Sequence, residues 1–149
     1  MVADETLLTV DEVNQRLPLV RSIVGDIVSL HADISFRRQR LLSLRERHPA
    51  PKSNDSVYEQ EVLQMESELA DDEVRLGSYA QELLDIGGFL TDPAEGRVDF
   101  LGDLGGERVF FCWQSAEPEV LGWHSGACGE SERILLDHEL GSMTISEGK

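Results

Sequence analysis

The stretch that decides the fold is residues 17–47, which read LPLVRSIVGDIVSLHADISFRRQRLLSLRER. Its apolar residues recur at alternating spacings of three and four, the pattern of a helix that packs one face against a second helix. That face consists of Val20, Ile23, Ile27, Leu30, Ile34, Leu41 and Leu44, with Arg37 as a polar member. At 1.5 Å per residue, about 30 residues make a helix of roughly 45 Å.

A second helix with the same spacing follows a polar loop at residues 48–55 that contains two prolines. Its apolar face consists of Val62, Met65, Leu69, Leu76, Tyr79, Leu83 and Ile86, with Asp72 as a polar member. Two helices joined by a short loop pack antiparallel, so facing residue numbers have a constant sum. Leu30 with Tyr79 and Arg37 with Asp72 both sum to 109. We therefore expect Arg37 to face Asp72 as a polar layer that fixes the register. The alternative is that both side chains reach solvent at a frayed end of the hairpin.

The beginning of the chain carries a helix start signal and a helix break signal. Thr9 and Glu12 have the spacing of a capping box, which favours a helix from about residue 10. Pro18 lacks an amide hydrogen and disfavours helical geometry in Leu17. We expect a short helix over residues 10–16 and a break before the long hairpin.

The spacing of apolar residues changes after Gly87-Gly88, the pair that ends the second helix. Glycine-rich and proline-containing turns separate short apolar runs at residues 97–101, 107–113 and 119–124, with a further short run at 133–136. The fold class is therefore α+β: a short N-terminal helix, a long coiled-coil-like antiparallel hairpin, and a small antiparallel β-meander of three to four strands. We divide the chain into a flexible N-terminus (1–8), the hairpin (9–90), a β segment packed on the hairpin base (91–137) and a disordered tail (138–149).

The charge composition of the chain disfavours nucleic-acid and membrane partners. Lys and Arg number 13 against 29 Asp and Glu, so the net charge of -16 repels nucleic acid and anionic lipid. The N-terminus lacks the basic and apolar regions of a signal peptide, and no run approaches the ~20 apolar residues of a membrane span. We expect a cytoplasmic protein with no nucleic-acid or membrane partner. Cys112 and Cys128 have neither CxxC nor zinc spacing, so they are two reduced thiols or a disulfide.

Residues with catalytic or metal-binding chemistry concentrate in the β segment. Asp99, Glu117, Glu119 and His124 are the catalytic candidates, and Asp99, Glu119 and His124 could bind a divalent metal. Strand alternation points Glu119 and His124 to opposite faces, which favours the alternative of turn carboxylates and a structural histidine. Trp123 is either a core residue or a pocket wall.

Several motifs carry a resemblance to a known family. They are Leu8-Thr9-Val10-Asp11-Glu12-Val13-Asn14 with Leu17-Pro18-Leu19-Val20, Gly96-Arg97-Val98-Asp99-Phe100, Cys112-Trp113, Glu117-Pro118-Glu119 and Trp123-His124. Together they resemble the bacterial family called domain of unknown function 2203. The resemblance implies a small bacterial protein, brings no established activity, and directs attention to the candidate residues of the β segment.

Two hypotheses about function follow. The first is a protein–protein interaction module whose hairpin associates with a second copy or with a helical partner. It relies on apolar residues outside the hairpin seam, namely Leu19, Val24, Val28, Phe36 and Leu42. The second is a metal-dependent or acid–base enzyme with its carboxylate and histidine site in the β segment, and a divalent metal as the cofactor that such a site would bind.

Overall fold

The computed structural model describes residues 7–47, 56–125 and 133–136, which form two helices and a five-stranded antiparallel sheet. The elements are α1 (Val10–Arg47), α2 (Ser56–Asp85), β1 (Gly88–Asp92), β2 (Arg97–Leu104), β3 (Glu107–Gln114), β4 (Gly122–His124) and β5 (Ile134–Leu135). The strands follow one another in the sheet in chain order, as in a meander. The predicted α+β class is confirmed.

The first helix begins at the predicted place but is not broken. Thr9 and Glu12 exchange two hydrogen bonds, of 2.9 Å and 3.1 Å, which make the capping box. The helix then continues through Pro18 to Arg47, so the prediction of a separate short helix was wrong. Val13, Leu17 and other residues on both sides of the proline are buried in one core, and this packing outweighs the missing backbone hydrogen bond.

The two helices pack antiparallel along an apolar seam with a polar layer. Arg37 Nη2 lies 2.5 Å from Asp72 Oδ2, and Arg37 also contacts Asp33 at 2.9 Å. The hydrogen bond to Asp72 is the main cause that raises the pKa of Arg37, with burial opposing it. Two further ion pairs join the helices on one side of this seam, Arg38 with Glu73 and Arg45 with Glu66.

The sheet has one strand more than the three to four predicted. The additional strand is β1, which occupies the segment predicted as the end of the hairpin and a loop. Leu8, predicted to be flexible, is buried and extends the same edge by a parallel bridge to Gly102. The predicted third strand is also shorter, because only residues 122–124 of the segment 119–124 pair with β3.

The core lies between α1 and the inner face of the sheet. Strand alternation places Val98 and Phe100 of β2 and Phe111 and Trp113 of β3 on this inner face, and all four are fully buried. Val24 of α1 lies outside the hairpin seam, as expected, but it is fully buried in the same core and is not available to a partner.

Three predictions extend beyond the described residues. The flexible N-terminus is described only at residues 7 and 8, the disordered tail at residues 138–149 lies outside the described part, and so does Cys128. Among the described helices, none is long and apolar enough to cross a membrane.

We expect Pro18→Ala to raise the free energy of unfolding by about 1–2 kcal/mol. Alanine supplies the missing amide donor inside a helix, and this gain exceeds the loss of proline's restriction of the unfolded chain. Urea denaturation measures the change, with exposed Gln15→Ala as the control that should shift stability by less than about 0.5 kcal/mol. A destabilised Pro18→Ala variant would contradict the account of α1 as one continuous helix.

Candidate metal centre

The outer face of the sheet, which points away from the core, carries a buried polar residue at its centre. Asp99 of β2 alternates with the core residues Val98 and Phe100, so its side chain points outward. The register of β2 and β3 places Cys112 directly opposite Asp99. A carboxylate and a thiol therefore lie side by side on adjacent strands.

The third member of this cluster comes from β4. His124 pairs with Phe110 across the β3–β4 ladder, and its ring stacks on that of Phe110 with centroids 5.5 Å apart. His124 Nε2 lies 3.1 Å from Asp99 Oδ2. One donor atom from each of Asp99, Cys112 and His124 lies within 4.8 Å of the other two. We call these three residues the outer-face cluster.

The outer-face cluster is buried, and it contains polar atoms without partners. Asp99 and His124 are each 3% exposed, and Cys112 is 7% exposed. Within the described structure, Asp99 Oδ1 and His124 Nδ1 are buried and make no hydrogen bond. Each such atom costs about 1–3 kcal/mol when nothing replaces the lost water. Unpartnered buried polar atoms require an explanation, and a bound ion or an ordered water would supply the missing interaction.

An ion pair closes one side of the cluster. Arg133, just before β5, donates from Nη2 to the Cys112 carbonyl oxygen at 2.9 Å and to Glu117 Oε1 at 2.8 Å. Its side chain crosses Gly122, where a Cβ atom would lie 2.6 Å from Arg133 Nε. The hydrogen bond to Glu117 raises the pKa of Arg133 above its ordinary value, and burial opposes this shift.

The turn that carries Glu117 is fixed to α1. Arg21 donates to the Glu117 carbonyl oxygen at 3.3 Å, and its guanidinium carbon lies 5.7 Å from the centre of the Trp113 ring. Trp113 Nε1 donates to the same carbonyl oxygen at 3.0 Å. Asn14 accepts a hydrogen bond from the Val120 amide at 2.9 Å. The hairpin thus positions the segment that leads into β4.

The structure brings two of the predicted site residues together and places the others elsewhere. Asp99 and His124 come together, whereas Glu117 binds Arg133 at the edge of the cluster. Glu119 lies between β3 and β4 and is not among the three clustered donors. Trp123 packs in the core, on the face of β4 opposite His124.

Sequence reasoning missed Cys112 and Arg133. The signal for Cys112 was present, because it alternates with Phe111 and Trp113 and must therefore point away from the core. Arg133 could not be found in this way, since its role depends on how residues 133–136 return beside β4.

The donor set suits a transition metal ion. Thiolate sulfur, imidazole nitrogen and carboxylate oxygen are the three ligand types of zinc, and tetrahedral zinc places its donors about 3.5 Å apart. The donor atoms of the outer-face cluster lie within 4.8 Å of one another, so none is more than about 1.3 Å beyond that spacing. Three protein donors leave one coordination position for water or another ligand.

Gly122→Ala tests the contact that closes the cluster. The new Cβ displaces Arg133 from Glu117, so we expect the free energy of unfolding to fall by about 1–2 kcal/mol. The matched control is Gly77→Ala in α2, where a Cβ meets nothing within 4 Å and should raise stability by about 0.5–1 kcal/mol. Thermal or urea denaturation compares the two, and a stabilising Gly122→Ala would contradict the packing of Arg133.

Comparison with known proteins identifies the family. The family model described as "Uncharacterized conserved protein (DUF2203)" matches residues 6–136, which include the whole outer-face cluster, Glu117 and Arg133. No curated protein and no solved structure matches the chain. The match covers well over half of the 149 residues, and the chain belongs to the DUF2203 family.

Proposed function

We propose that this protein binds one divalent transition metal ion, with zinc preferred, through Asp99, Cys112 and His124. The observation that carries the proposal is the convergence of three zinc-type donors in a buried cluster with unpartnered carboxylate and imidazole atoms. A metal ion bound to Asp99 would use the carboxylate oxygens, one of which makes no hydrogen bond among the described residues.

Charge supports the same conclusion. In the metal-binding state Asp99 and Cys112 are anionic and His124 is neutral, so the donors carry two negative charges. A divalent ion neutralises this charge within a region that excludes water, where uncompensated charge is costly. Arg133 lies next to the cluster, but Glu117 already binds its guanidinium group.

The acid–base form of the enzyme hypothesis would use the same three residues without a metal. It is supported less well, because side chains that are 3–7% exposed do not contact a substrate in this conformation. With a metal ion bound by the three side chains, a substrate would need to reach only the fourth coordination position of the ion. We place the protein in the cytoplasm, where the reducing environment keeps the Cys112 thiol available as a ligand.

Zinc titration of metal-free protein tests the proposal. We expect one zinc ion to bind per chain in isothermal titration calorimetry. At free zinc of about 100 times Kd, stability should rise by about 2.7 kcal/mol. Cobalt should bind the same site and give the absorption band of a thiolate–cobalt bond. Absence of saturable binding and of any stabilisation would refute the proposal.

Near-isosteric variants locate the ion. Asp99→Asn and Cys112→Ser should each weaken zinc binding by at least about 10-fold, and Cys112→Ser should also abolish the thiolate–cobalt band. Glu119→Gln should bind zinc as the wild type does. This result would distinguish the outer-face cluster from the donor set predicted from sequence, which has Glu119 in place of Cys112. His31→Gln on α1 is the control for a remote histidine. Equal weakening in the controls would place the ion elsewhere on the acidic surface.

The pH dependence follows from proton release. Zinc displaces protons from imidazole and thiol groups, so the apparent affinity should fall as the pH is lowered. Calorimetry in buffers of different ionisation enthalpy counts the protons released. Binding that releases no protons across neutral pH would exclude the thiolate–imidazole donor set.

A further inference from the structure

A second stripe of helical spacing runs along the face of α1 that points away from α2. From Ser22 to Ser43 its members alternate at spacings of three and four and carry no charge, namely Ser22, Gly25, Ser29, Ala32, Phe36, Gln39 and Ser43. The next position of the pattern is Glu46. The residues of the stripe are all exposed, and Phe36 is 63% exposed. At 100° per residue this stripe lies nearly opposite the seam with α2.

The two borders of the stripe differ in chemistry. One border carries the half-buried Val28 and the exposed Leu42. The other border carries acidic residues in its N-terminal half and basic residues in its C-terminal half, namely Asp26, Asp33, Arg40 and Arg47. A border that changes sign along its length is complementary to itself when it is reversed.

We propose that this stripe binds the same stripe of a second copy of the chain, antiparallel, with the two-fold axis at Phe36. In that register facing residue numbers sum to about 72, so Phe36 meets Phe36 of the second copy. Asp33 then faces Arg40 and Asp26 faces Arg47, twice each because of the symmetry. On the other border Val28 faces Leu42.

Three of the four border charges lack an ion pair among the described residues, whereas Asp33 contacts Arg37 at 2.9 Å within its own helix. Arg38 and Arg45 form ion pairs with α2. In contrast, Asp26, Arg40 and Arg47 form no ion pair within residues 7–47, 56–125 and 133–136. Residues 25–47 of each copy would overlap, a length of roughly 34 Å. The sheets would lie at opposite ends of the assembly, because each packs on the N-terminal part of its own α1.

Small side chains explain why the contact can be close. Gly25, Ser29, Ala32 and Ser43 leave room for the helix backbones to approach, and nothing lies within 4 Å of a Cβ added at Gly25. Phe36 is the large apolar group at the axis. An acidic helix of another protein would not match, because Asp26 and Asp33 occupy half of the charged border.

Sedimentation velocity of the full chain tests the proposal. We expect the dimer to have a Kd of about 1 μM, so that it predominates at a chain concentration of about 100 μM. Phe36→Asp places two like charges at the axis and should weaken association by at least about 100-fold. The matched control is Val74→Asp on α2, which changes a side chain that is 74% exposed and should leave the dimer intact. A wild-type monomer, or a dimer that Phe36→Asp leaves unchanged, would overturn the proposal.

Charge exchange tests the register. Asp33→Arg and Arg40→Asp should each weaken association about 10-fold, because like charges then face each other. The double variant restores opposite charges across the interface and should recover the wild-type affinity. Because Asp33 contacts Arg37 within its own chain, urea denaturation of each variant checks that changes in association do not reflect changes in monomer stability. Failure of the double variant to recover, with both single variants folded by circular dichroism, would exclude this register.

Discussion

The pairing of β2 with β3 is the constraint on which the core and the candidate metal centre both depend. Eight residue pairs follow one another in unbroken register. Because side chains alternate between the two faces, a slip of one residue would exchange Phe100 for Asp99 in the core. The same register that buries Phe100 and Phe111 against the hairpin therefore also places Asp99 opposite Cys112 on the outer face.

The hairpin was predictable because its determinants are local. Spacings of three and four define the buried face of each helix, and the short loop defines the direction of the second helix. The structure places Arg37 against Asp72, where facing numbers sum to 109. Pro18 misled the prediction, because its local preference is outweighed by core contacts that form only when the sheet packs on α1.

The candidate site was predictable in part. Asp99 and His124 were recognised by residue type, but their partner depends on strand register, which no local pattern specifies. The predicted metal donors included Glu119 but not Cys112, which the register of β2 and β3 places opposite Asp99. β1 was missed for a related reason, since Thr91-Asp92-Pro93 is typical of a loop but the strand ends only at Asp92.

The hairpin and the sheet share the core. The hairpin carries the surface proposed for self-association, and the sheet presents the proposed metal ligands. X-ray absorption spectroscopy of the zinc-loaded protein tests the central claim most directly. The account predicts one sulfur neighbour at about 2.3 Å together with nitrogen and oxygen neighbours at about 2.0–2.1 Å. A zinc environment without sulfur would contradict it, because the ion would then lie outside the cluster of Asp99, Cys112 and His124.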